Sequence, residues 1–138
     1  LLGTNLGSAD LRGADLRGAD LRGANLTPIR DDLWAVLSGA PAEASALLQA
    51  LTDGRVDGST YEGPCACLVG TLANARGCHY RALAPVVPNI NRPAEMFFVC
   101  IHPGDTPKSS PYAAIAAEWV ADWLTRMRGA FGRVPPAA

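Results

Sequence analysis

Four cysteines and two histidines are the side chains of this 138-residue chain with the widest chemical scope. The stretch Gly63-Pro64-Cys65-Ala66-Cys67 runs into Leu-Val-Gly-Thr-Leu-Ala-Asn-Ala-Arg-Gly. Pro64 suits a first helical position and Gly77 a stop, so the pattern predicts a helix over 64–75 with Cys65 in its first turn. A thiol there gains from the positive end of the helix dipole, which makes Cys65 a candidate nucleophile. It would need His102 or His79 as base, and Asp105, three residues after His102, could orient that imidazole in the manner of a triad. Cys65, His102 and Asp105 therefore define an enzymatic reading, a cysteine-dependent hydrolase or transferase. Against it, a helix of about eleven residues is roughly 16 Å long and would hold both imidazoles at the end opposite Cys65. Asp105 also sits in Gly104-Asp105-Thr106-Pro107, an ordinary turn composition. The plainer reading makes Cys65 and Cys67 small, half-buried packing residues.

The elements that would position these groups follow from periodicity. Thr27-Pro28 opens a helix over 28–38 with Ile29, Leu33 and Leu37 four apart, and Gly39 ends it. Pro41 opens a second, to about Asp53, with Leu47, Leu48 and Leu51 inward and Gly54 as stop. Residues 79–87 and 95–102 read as two strands, the second apolar on both faces, joined by a turn over Pro88–Pro93. Such a hairpin would gather Cys78, His79, Cys100 and His102 near one end. Two Cys with two His can hold structural zinc, but the spacing is that of no known finger, and adjacent Cys78 and His79 would face opposite sides of a strand. No metal or cofactor is assigned. A final helix from Ser110-Pro111 to about Arg128 carries Tyr112, Ala116, Trp119, Trp123 and Met127 as one stripe.

The first thirty residues follow a different rule. Leu6, Leu11, Leu16, Leu21 and Leu26 recur every five positions. On a helix each would be turned roughly 140° from the last, and on a strand alternate ones would face opposite sides. A common interior requires a backbone that turns a corner every five residues, as a solenoid does. The units Ala9-Asp10-Leu11-Arg12-Gly13, Ala14-Asp15-Leu16-Arg17-Gly18, Ala19-Asp20-Leu21-Arg22-Gly23 and Ala24-Asn25-Leu26 resemble the pentapeptide-repeat family. The resemblance implies a right-handed quadrilateral β-helix of about one and a half turns. So short a solenoid needs covering at its ends, by the Ile29/Leu33/Leu37 helix on one side and by a second copy or preceding turns on the other. Because the chain opens at Leu1, it reads as a fragment of a longer array. Asp57–Gly63 with Cys65–Thr71 and His102–Pro107 resemble an uncharacterised domain that follows such repeats in actinobacterial phage and prophage proteins, a likeness that implies a source but no activity.

Charge narrows the partners. The formal net charge is −1, and residues 1–30 carry four Arg against three Asp, so neither a nucleic-acid binder nor an acidic DNA mimic is expected. No apolar run approaches membrane-spanning length, and four cysteines are too few for a disulfide scaffold. The expected fold is α+β, with a short β-helix over 1–27 capped by and fused to a domain over 28–138 containing about four helices and a β-hairpin. The expected function is a non-enzymatic structural or protein-interaction module, phage-encoded, cytoplasmic in the host cell or virion-associated. Its solenoid arm would bind a protein partner or a second copy as a homo-oligomer.

Overall fold

The structure is a computed structural model and describes residues 26–131. The β-helix expected over 1–27 lies outside these residues apart from its last two positions. Among the described residues there is no strand, only an isolated parallel bridge between Val56 and Ala66, and the expected α+β domain is instead helical.

Helix α1 (Thr27–Gly39) turns Ile29, Leu33, Val36 and Leu37 inward, a spacing of four, three and one that makes a single stripe. Its N-cap is Leu26, one residue before the expected Thr27, and the Leu26 carbonyl accepts from the N–H groups of Ile29 and Arg30 at 3.0 Å. The stripe joins the core of the helical domain, so it is already occupied there. Pro41 starts a one-turn 3₁₀ segment that leads into α2 (Ala44–Asp53), which buries Leu47, Ala50 and Leu51 and leaves Leu48 at the margin. Gly54 ends α2 with φ +73°, a left-handed conformation that glycine adopts without steric cost.

The segment 55–67 runs back across the domain. It is pinned by Asp57 N–H to the Ala66 carbonyl (2.9 Å) and Cys67 N–H to the Thr60 carbonyl (2.7 Å). Helix α3 (Leu68–Arg76) starts four residues later than the sequence pattern suggests, with every residue from Leu68 to Ala73 buried. A helix enclosed on all sides has no polar face, which is why periodicity marks it poorly. A Cβ at Gly70 would collide with the Tyr61 carbonyl, so the 60s segment can lie against α3 only because that position lacks a side chain.

Both predicted strands are absent. Over 79–87 the chain forms a one-turn 3₁₀ segment at Tyr80–Ala82 and then loop, in which Pro85 lacks the N–H that a ladder needs. Over 95–102 stands α4 (Pro93–Phe98), with Pro93 at its start and Ala94, Glu95, Phe97 and Phe98 buried. A short run apolar on both faces fits a buried strand and a buried helix equally well, and Pro93 at the first helical position together with an acceptor for the Ala94 N–H favours the helix. Ser110 caps α5 (Pro111–Phe131), its hydroxyl accepting from Ala113 N–H at 3.2 Å. Helix α5 packs on α2, α1 and α4, and α4 packs on α1 and α3. Trp34 fixes the α1–α5 contact: its indole N–H donates to the Trp119 carbonyl at 3.0 Å, and Arg30 and Arg126 stack on its ring.

Phe97 is fully buried against Tyr112 and Trp119. Phe97→Ala is expected to cost about 3–5 kcal/mol in chemical denaturation, whereas Val99→Ala, at a half-exposed position, should cost under about 1 kcal/mol.

Candidate functional site

Cys65 is half-buried and lies in the connecting segment, three residues ahead of α3. The thiol at the helix N-terminus is Cys67, the N-cap of α3 and only 4% exposed. Burial, reinforced by the negative charge of Glu95, pushes its thiol up to about 11, although the N–H groups of Gly70 and Val69 pull the other way. A thiol so placed is held protonated rather than activated. No helix begins at Pro64, so Cys65 is not set at one end of a helix with the imidazoles at the other; even so, among the described residues no hydrogen bond or ion pair joins Cys65 to His79 or His102.

The structure does bring His102 and Asp105 together. The His102 backbone N–H donates to Asp105 Oδ2 at 2.9 Å, and His102 Nδ1 stands 3.5 Å from the same oxygen. The imidazole is 55% exposed and the pair closes a turn. His79 goes elsewhere: its Nδ1 accepts from Arg81 N–H at 3.1 Å, its Nε2 lies 3.4 Å from Glu62, and its ring stacks on Tyr80. Cys78 and Cys100 rest against the core as partly buried residues. Among the described residues no group of three or more His, Cys, Asp or Glu side chains is placed to hold a metal ion. The hairpin that would have gathered Cys78, His79, Cys100 and His102 is not formed.

Two constellations were not singled out from the sequence. The first joins α1 to α4. Asp32 accepts from Arg92 Nε (3.0 Å) and Nη2 (2.8 Å) and from the Ala94 backbone N–H (2.9 Å). Partial burial raises the Asp32 carboxyl, but the Arg92 and Ala94 hydrogen bonds and the Arg92 charge outweigh it and hold the group below the ordinary carboxylate range. The second lies between α4 and the 58–61 turn. Glu95, 3% exposed, accepts from the Tyr61 hydroxyl through Oε1 and from the Asn89 N–H through Oε2, each at 2.7 Å. Burial, then this hydrogen bond to Glu95, raises the Tyr61 phenol well above its usual range. Tyr61, Glu95 and Cys67 face a cavity of about 40 Å³ whose mouth is edged by Ile90 and Val99. The available signal was the lone acid in Pro93-Ala-Glu-Met-Phe-Phe-Val: a charge in an otherwise apolar run must find partners or stay exposed. A broader depression of about 820 Å³ lies between α1 and the 85–93 segment.

In comparison with known proteins, the family described as pentapeptide repeats (8 copies) matches residues 1–27. No curated protein and no solved structure matches the chain, so the likeness of the 57–71 and 102–107 segments to a phage domain gains no support there. Pentapeptide repeats suggest a structural or interaction module. Among the described residues no helix is long and apolar enough to cross a membrane.

Asp32 supplies a pH test. Its folded pKa lies below its unfolded one, so its contribution is fully present above the ordinary value near about 4 and fades as pH falls through the folded value. Asp32→Asn should cost about 1–3 kcal/mol at pH 7, and the gap to the parent protein should narrow below about pH 4 in urea titrations. Cys67 supplies a second test. At pH 8 its alkylation by iodoacetamide in the folded protein should be at least about tenfold slower than that of free cysteine, rising steeply toward pH 11.

Proposed function

We propose that this protein is a non-enzymatic interaction module in which the repeat segment provides the binding surface and the helical domain is the body attached to it. The observation that supports this most is the junction. The repeat match ends at residue 27, and α1 begins at Thr27, so no linker residue stands between them. Leu26, the last Leu of the five-residue register, already packs against the helical core. A binding segment joined in this way transmits its position to the domain, whereas a flexible linker would let the two diffuse apart. The occupant we assign to the repeat surface is protein, in the first instance a second copy of the chain. The balance of Arg12, Arg17 and Arg22 against Asp10, Asp15 and Asp20 gives that segment no basic excess for nucleic acid.

Light scattering across a concentration series tests the reading. The full chain should show a mass above that of one chain, and Leu16→Arg, which sets a charge at an apolar position of the register, should reduce it toward the monomer. The melting of the helical core should be unchanged by that substitution. A strictly monomeric parent protein would overturn self-association.

A further inference from the structure

We propose that the small cavity between the 58–61 turn and α4 is a binding site for a primary alkylammonium group, with the Glu95 carboxylate and the Tyr61 hydroxyl oxygen as its acceptors. The proposal stands on the helical domain alone and does not depend on what the repeats bind.

Charge is the first argument. Both Glu95 oxygens act as hydrogen-bond acceptors, the pattern of an ionised carboxylate, and each keeps a second lone pair. Isolation of such a charge from water is expensive unless a cation compensates it. The cavity walls contain no Lys, Arg or His. The guanidinium of Arg92, which feels the Glu95 charge, has Nε and Nη2 committed to Asp32.

Donor and acceptor balance is the second. The Tyr61 proton is spent on Glu95, so toward the cavity the phenol oxygen can only accept. Cys67 contributes a neutral thiol. The Ser59 and Thr60 hydroxyls, which also line the cavity, donate to Asp57 Oδ1 and the Glu62 carbonyl, and the rest of the lining is mostly apolar. An ammonium on an alkyl stem, with three donors and no acceptor, complements that combination; an anion or a carbonyl does not.

Size and shape are the third. A cavity of about 40 Å³ exceeds the roughly 10–15 Å³ that one water requires, and takes a group of two or three heavy atoms. That suits a nitrogen with its first methylene and is too small for a guanidinium or a quaternary ammonium. The mouth is edged by Ile90, 63% exposed, and Val99, 49% exposed, two aliphatic side chains placed to cover an alkyl stem. The turn on the far side comes this close because Gly58 has no Cβ, which would collide with the Phe98 carbonyl.

A ¹H–¹⁵N NMR titration of the full chain with n-butylammonium chloride tests the site. Saturable shifts should appear at Gly58–Tyr61, Cys67 and Val99, with a dissociation constant of about 1 mM for so small a ligand. Tetramethylammonium, butanol and potassium chloride at matched ionic strength should not produce them. Glu95→Gln should weaken binding at least about tenfold. Ile90→Arg, at an exposed position that leaves the core untouched, should weaken it about fivefold or more by setting a cation at the mouth, and it carries the test if the Glu95 variant does not fold. Binding of Nα-acetyl-lysine methylamide as well as butylammonium identifies a protein lysine as the natural source of the group, and binding of butylammonium alone identifies a free amine. Equal shifts with butanol or potassium chloride, or affinity unchanged in both variants, would overturn the proposal.

Discussion

The carboxylate of Asp32 is the polar contact on which the geometry of this domain turns. It projects from α1, takes two hydrogen bonds from Arg92 and receives the free Ala94 N–H at the start of α4. A six-residue helix has few internal hydrogen bonds and does not persist alone. With Asp32 satisfying its N-terminus, α4 is held in one register. That register sends Phe97 and Phe98 into the core and presents Glu95 to Tyr61 and Asn89.

Two acids of this small domain, Glu43 and Glu95, are taken out of water and a third, Asp32, is partly so, each in a different manner. Asp32 is matched to a guanidinium in a bidentate pair. Glu43 meets Arg76 at 2.9 Å, and the same guanidinium donates to the Ala84 carbonyl, so one side chain ties together the entry to α2, the end of α3 and the loop beyond. Glu95 has only uncharged donors. Among the described residues no buried side-chain nitrogen or oxygen lacks a hydrogen-bond partner. The contrast therefore lies in net charge and not in hydrogen bonding, and it singles out the Glu95 cavity.

Much of the helical domain was legible in the sequence wherever one face of an element meets water. The Ile29, Leu33 and Leu37 spacing marks α1, Gly54 and Gly77 mark the ends of α2 and α3, and Ser110-Pro111 marks the start of α5. Legibility fails for elements enclosed on every side. The runs at 68–73 and 94–98 show no polar face, so their period carries no information, and α4 was read as a strand and α3 as starting too early. The same limit affects where a thiol is placed relative to α3. A helix start at Pro64, four residues ahead of Leu68, makes Cys65 the candidate first-turn thiol, whereas the thiol at the start of α3 is Cys67, which is buried. Glu95 and Tyr61 are 34 positions apart and meet only through the packing of α4, which no local pattern records.

The reach of Asp32 across the chain also bears on the order in which the domain assembles. Its bond to Ala94 closes a loop spanning 62 positions, whereas α2 and α3 pack on each other across the much shorter 54–67 connection. Loop-closure entropy makes the short-range pairing the faster one. Helix α4, lacking both length and an N-terminal acceptor until α1 is in place, is then among the last elements to order and among the first to open. In native-state hydrogen exchange the amides of 94–98 would belong to a less protected unit than those of α2 and α3, despite lying at the centre of the core.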